Sequence, residues 1–262
     1  MLKTNKLREL LVAGKPTVGT RLNTTWATMT EAVGVTGLYD YVEFLAEYSP
    51  YTQYDLENIA RAAELHNMGS MIKVDVLNRG FEARRAIASG FQAILFTDHR
   101  NADEVRESLH TIRPDCPGVC EGDMGFAFRR WIGFRPITPQ LEFAEMARQT
   151  VAVFMIEKKE AMDNIDEICS VPGVDMVQFG PYDYGMSCGV NTRDDESRIR
   201  SEEKRMIAAA LRHGVRPRCE INSVDEAKYY RDLGVRDFNL GLEILVMQAF
   251  WKKEGQILRD ML

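Results

Sequence analysis

The feature that most restricts this chain is an alternation: eight short β-rich runs trade places with amphipathic segments from one end to the other. The strand candidates are TVGTRL (17–22), YVEFLA (41–46), SMIKVDV (70–76), AILFTD (93–98), VAVFMIE (151–157), DMVQFG (175–180), VRPRCEI (215–221) and RDFNLG (236–241). Several are rich in Val, Ile and Phe, which suits parallel strands covered on both faces. Helical patterns occupy 56–67, 82–90, 101–113 and 198–214, and Gly90, Gly214 and Gly234 stand where helix stops are expected. No linker, low-complexity stretch or shift in composition interrupts the pattern, so residues 1–262 read as one domain. Eight β-α units over 262 residues match the (β/α)8 or TIM barrel in count and length. The competing doubly wound open sheet is disfavoured, because NTTWATM rather than a glycine-rich dinucleotide turn follows the first strand.

Composition excludes several function classes. A net charge of -6 argues against a nucleic-acid surface, which needs a basic stripe. Arg129, Arg130 and Arg135 cluster locally, as either a solvated loop or an anion site would have them. No apolar run is long enough to span a bilayer and MLKTNKLREL lacks the apolar block of a signal peptide, so a cytoplasmic protein without membrane contact is expected. Five cysteines at irregular spacings suggest free thiols, and Cys116 and Cys120 lack the second pair that a structural zinc site requires.

A barrel places its chemistry at the carboxyl ends of its strands. The polar residues there are Arg21, Glu43, Glu47, Lys73, Asp75, Asp98, His99, Glu157, Asp183, Arg218, Glu220 and Glu243. Any one of them can simply cap or solvate a loop; the collection asks for another explanation. In GVDMVQFGPYDYG (173–185) an apolar run ends in Gly180-Pro181, and Asp183 then sits between two tyrosines. Adjacent strands lie about 4.8 Å apart, so carboxylates at matching heights on strands five and six, Glu157 and Asp183, can share one cation. Two carboxylates completed by water suit Mg2+ or Mn2+ better than zinc. Such an ion can take the ketone and carboxylate oxygens of a 2-oxo acid and stabilise an enolate. In the Gly180-Pro181-Tyr182-Asp183 turn, Tyr182 and Asp183 carry the N–H groups able to receive the substrate carboxylate, since Pro181 has none.

The segment FMIEKKEAMDNIDEICSVPGVDMVQFGPYDYGMSCG (154–189) resembles the HpcH/HpaI family of class II pyruvate aldolases. That family carries I-E-[ST]-x-x-A-x-x-N followed by E-G-V-D-x-[VI]-x-[IV]-G-P-x-D-L; Ile156, Glu157, Ala161, Asn164, Gly173, Val174, Asp175, Gly180, Pro181 and Asp183 match it. Weaker resemblance runs through AGKPTVGTRL, RNADEVRESLHTIRPDCPGV and YYRDLGVRDFNLGLE. The resemblance implies a (β/α)8 barrel, often with its last helix exchanged between subunits of a homo-oligomer, a hexamer or trimer of dimers. It also implies a metal held at Glu157 and Asp183.

The chain departs from the family where bonds are made. The second-strand motif D-x-E-H-[AGS]-P corresponds to LAEYSP (45–50): Glu47 and Pro50 are kept, Leu45 replaces the Asp and Tyr48 the proton-transferring His. The strand-three Arg falls on Lys73, which keeps the charge without the planar fork. Arg21 can restore a bidentate anion contact, and His99 can supply the missing base. A Schiff base on Lys73 is redundant beside a metal pair. The expected protein is therefore a divalent-metal-dependent carbon-carbon lyase or synthase acting on a small 2-oxo acid through a pyruvate-type enolate. Glu47, Gly180, Pro181 and Tyr182 would bind substrate; Lys73, Arg21 and Tyr48 or His99 would carry the chemistry. The alternative is a non-catalytic barrel that binds a 2-oxo acid or phosphorylated metabolite, or serves as an assembly subunit. LEILVMQAFWKKEGQILRDML at the C-terminus can close the barrel or dock on a neighbour in a homo-oligomer.

Overall fold

In the computed structural model, which describes residues 4–135 and 138–262, eight parallel strands hydrogen-bond in sequence order and the last closes on the first. They are β1 (Thr17–Leu22), β2 (Tyr41–Leu45), β3 (Gly69–Val74), β4 (Ala93–Phe96), β5 (Val151–Ile156), β6 (Met176–Phe179), β7 (Arg216–Ile221) and β8 (Asp237–Leu242). The chain is thus a (β/α)8 barrel, and the expected strand bounds differ from the observed ones by one or two residues at several ends. The helices are α1 (Lys6–Val12), α2 (Ala27–Val35), α3 (Gln53–Leu65), α4 (Arg79–Ser89), α5 (Ala102–Ile112), α6 (Gln140–Arg148), α7 (Lys159–Asp163), α8 (Ile165–Ser170), α9 (Pro181–Ser187), α10 (Glu196–Arg212), α11 (Ala227–Asp232) and α12 (Glu243–Met261). Gly90, Gly214 and Gly234 stop helices with φ of +115°, +72° and +95°, the left-handed backbone in which a Cβ would be strained.

Alternation along the strands makes two apolar layers. Phe44, Ile72, Ile94, Phe96, Phe154 and Val177 pack outward against the helices, each such burial contributing about 1.5–3 kcal/mol. Tyr41, Met71, Leu95, Val153, Met155 and Met176 fill the interior, joined from below by Leu7 of α1. That helix is fastened across the amino-terminal end of the barrel: Asn5 Nδ2 donates to the carbonyls of Gln92 (2.7 Å) and Gln149 (2.9 Å). Arg8 grips Asp175 through two bonds of 2.5 and 2.7 Å.

The interior also holds charge. Arg218 and Glu43 are fully buried and paired; Arg218 Nε donates to the Tyr41 hydroxyl at 2.8 Å, and Asn239 Nδ2 donates to Glu43 Oε2 at 2.9 Å. Their place near the strand ends in sequence predicts both at the mouth, but their strand positions set them one layer beneath it.

On α12 only Glu243 is buried, while Val246, Phe250, Trp251, Leu258 and Met261 are exposed. A groove of about 490 Å3 beside its first turn is lined by Met29, Val33, Tyr39, Leu240, Val246 and Met247. Among the described residues no helix is long and apolar enough to cross a membrane.

Candidate active site

Glu157 follows β5 and is 2% exposed. The β5–β6 register pairs Met155 with Gln178 and Ile156 with Phe179, so the next step sets Glu157 beside Gly180. A Cβ on Gly180 would lie 2.8 Å from both Glu157 Cβ and Oε2; glycine is what lets the carboxylate lie across the strand end. Pro181 then opens α9, with its fixed φ suited to a first helical position, and Asp183 stands in that first turn. Burial pushes the Glu157 carboxyl up to about 7; Lys73 and the Asp98 amide pull against that, while the charges of Asp98 and Asp183 add to it. The backbone N–H of Asp98 donates to Glu157 Oε1 at 2.9 Å.

Lys73, at the level of Leu45 and Leu95 on β3, meets Glu47 with its ammonium 2.6 Å from Oε2. Burial alone would lower the Lys73 pKa, but the hydrogen bond and charge of Glu47, followed by the charges of Glu157 and Glu220, leave it raised and the ammonium protonated. Tyr48 projects from the rim, 85% exposed, and the negative charge of Glu47 raises its phenol, with burial and Asp183 adding to the effect. It therefore holds its proton where a general base would have to shed one.

Around these groups the rim is braced. Lys158 Nζ lies 2.5 Å from Asp98 Oδ1, and its pKa is raised by Asp98, Glu157 and Asp183 against the opposing effect of burial. On the far wall Arg21 Nη1 meets Glu220 Oε2 at 2.5 Å and Nη2 donates to Asn222 Oδ1 at 3.2 Å; Gln178 Nε2 donates to the other Glu220 oxygen at 2.6 Å. Arg21 is thus held by protein carboxylate and amide oxygens on the β1–β7 side.

His99 is not among these groups. Fully buried, it packs edge-on against Phe96 and Phe154 of the outward layer and bonds through Nε2 to Ser108 of α5 at 2.6 Å. The residue that was to supply a base lies behind the barrel wall, because a sequence position after a strand does not say which face the side chain takes. Asp75 and Glu243 also have local work: Asp75 Oδ1 accepts from the amides of Leu77 (2.6 Å) and Asn78 (2.9 Å), and Glu243 Oε1 from those of Asn23 (2.6 Å) and Thr24 (2.8 Å). Conversely, Lys158 and the Asp98 amide were not foreseen as parts of the site; an Asp in left-handed backbone, φ +63°, marks the turn but leaves little trace in sequence.

The donor set suits a hard divalent cation. Glu157 and Asp183 offer carboxylate oxygen, the Gly180 cradle seats Glu157 Oε2, and a cation would relieve the cost of a buried carboxylate. Among the described residues no three His, Cys, Asp or Glu side chains converge as a metal cage, so the remaining coordination would come from water and substrate.

The model of the HpcH/HpaI aldolase/citrate lyase family matches residues 22–243. The chain belongs to that family. Curated family relatives include the hydroxypyruvate/pyruvate aldolase of Paraburkholderia phytofirmans, 24% identical over 98% of each chain. The 4-hydroxy-2-oxo-heptane-1,7-dioate aldolase of Escherichia coli is 24% identical over 93% of this chain and 90% of that protein. Among solved structures, a family protein from Burkholderia cenocepacia superposes with a TM-score of 0.87 at 23% identity, covering 98% of this chain and all of the other. Macrophomate synthase superposes at 0.84 with 19% identity, covering 100% of this chain and 92% of that one. These structural likenesses speak for the fold; the family's names speak for aldolase-type lyase chemistry.

Proposed function

We propose that this protein is a divalent-metal-dependent carbon-carbon lyase or synthase acting on a small 2-oxo acid through a pyruvate-type enolate. One observation carries the reading: Glu157 and Asp183 flank the Gly180-Pro181 turn within electrostatic reach of each other, and Glu157 also feels the charge of Lys73. Mg2+ or Mn2+ bound there would supply Lewis-acid stabilisation of negative charge on a keto oxygen. The protein's own groups do the rest. First-turn N–H groups of Tyr182 and Asp183, which have no partner within their own helix, receive the substrate carboxylate. Lys73, oriented by Glu47, stabilises developing oxyanion charge. When the C3–C4 bond of the substrate breaks, the C4 hydroxyl gives its proton to water and becomes the carbonyl of the departing aldehyde, the bonding pair moves into the enolate, and the Tyr48 hydroxyl, which keeps its proton at neutral pH, protonates C3 and is reprotonated from solvent. His99 has no part in this scheme.

The exposed apolar residues of α12 and the groove beside its first turn support a homo-oligomer in which α12 lies on a second copy, a hexamer by family resemblance. The deciding experiment is exchange of pyruvate methyl protons in deuterated water with Mg2+ or Mn2+. Exchange that needs metal and vanishes in Glu157→Ala and Asp183→Ala is expected. Metal binding without exchange on pyruvate or oxaloacetate would instead place the substrate outside the pyruvate class, and no metal binding at all would favour a non-catalytic barrel, the reading suggested by Leu45, Tyr48 and Lys73 where the family has Asp, His and Arg.

A further inference from the structure

Asp98 combines three observations that no loop connection requires. Its φ of +63° lies in the left-handed region, which Asp and Asn tolerate better than other residues with side chains. The turn aims its amide at β5, where the N–H meets Glu157 Oε1 at 2.9 Å. Its carboxylate meets the ammonium of Lys158 at 2.5 Å. Lys158 directly follows Glu157 and stands where the family block I-E-[ST]-x-x-A has Ser or Thr, so this chain has put a cation beside its own cation site. The other carboxylates whose charge reaches that ammonium are Glu157 and Asp183.

Resting on the reading that Glu157 and Asp183 hold a divalent ion, we infer that Asp98 is a positioning residue that keeps this site open to metal. Its amide fixes one oxygen of Glu157, and its carboxylate holds the Lys158 ammonium away from Glu157 and Asp183. An ammonium seated between those two carboxylates satisfies the same charge as a metal ion and so competes with it. The strained turn has its physical reason in serving both contacts from one residue.

The test is Mn2+ binding, followed by the paramagnetic resonance signal of free Mn2+. Asp98→Asn tolerates the same backbone and keeps the amide but removes the carboxylate; its Mn2+ dissociation constant should rise roughly tenfold, the scale of lost outer-shell partners. Asp98→Gly, which carries no strain at positive φ, gives the same comparison through a second variant. Adding Lys158→Ala to either should restore native affinity, a rescue that a purely structural role for Asp98 would not produce. Native-like binding in both single variants, or a double variant as weak as the single, overturns the inference while leaving the metal site standing. A native protein that binds no Mn2+, or binds it equally in Glu157→Ala and Asp183→Ala, overturns the underlying reading and this inference with it.

Discussion

Lys73 and Glu47 form a close ion pair at the barrel mouth, 2.6 Å apart with side chains only 16% and 7% exposed. Glu47 therefore sets the direction of the ammonium as well as keeping it charged. Replacing Lys73 by Met should reduce pyruvate proton exchange by at least about a hundredfold, while Glu47→Gln should lower both exchange and Tm, costing up to about 3 kcal/mol for a charge left without its partner. Proton NMR of the methyl signal, beside thermal unfolding, separates the two effects; full exchange in the Met variant would remove Lys73 from the mechanism.

Gly180 should tolerate no side chain. A methyl group there meets Glu157 Cβ and Oε2 at 2.8 Å, closer than real contacts permit, so Gly180→Ala must displace the carboxylate. Calorimetric titration should show Mn2+ binding weakened about tenfold or more with the circular dichroism spectrum kept. Unchanged affinity would mean that Glu157 is not the ligand.

The Arg218–Glu43 pair inside the barrel offers a cleaner stability test than any surface pair. Arg218→Met alone leaves Glu43 buried without its cation and should cost about 3–5 kcal/mol, whereas Arg218→Met with Glu43→Leu should recover much of that loss. Urea denaturation of the two single variants and the double gives the coupling directly; additive losses would contradict it.

His99 predicts an acid sensitivity. Burial pushes its pKa down to about 3, against 6.5 in the unfolded chain. Between those values the unfolded state binds the extra proton, so the stability is whole above pH 6.5 and declines as the pH falls, by about 1.4 kcal/mol per unit from this group. Stability of native protein and His99→Gln at pH 7, 6 and 5 should show a flatter slope in the variant; parallel slopes would assign the acid sensitivity elsewhere.

The apolar residues of α12 predict association. Light scattering should report a homo-oligomer for the native chain, and charged replacements of Phe250 and Trp251, 63% and 61% exposed, should shift it toward monomer. A monomeric native protein would leave α12 without a partner.

The barrel was legible because parallel strands covered on both faces leave dense β-branched runs, and glycines at positions 90, 214 and 234 punctuate the helices. The place of Glu157 was legible for a related reason: strand pairing sets it level with Gly180, and the Gly-Pro that ends the sixth strand opens the helix turn carrying Asp183. Facing was harder to read. Glu43, His99 and Arg218 all looked like mouth residues, yet one residue of phase moves a side chain between interior and outer layer, and one further step along the strand sinks it below the rim. The Asp98 contact was least legible of all, since it depends on a single backbone dihedral.

The side chains that fill the barrel, with the helix fastened beneath them by Asn5 and Arg8, make the site a room with one door. A molecule resting over Glu157 and Asp183 has to leave by the way it came, past whatever arrives after it. For the proposed reaction with two carbon partners this would impose a queue: a 2-oxo acid seated over Glu157 and Asp183 would enter first and depart last, and an excess of the outer partner should block the doorway.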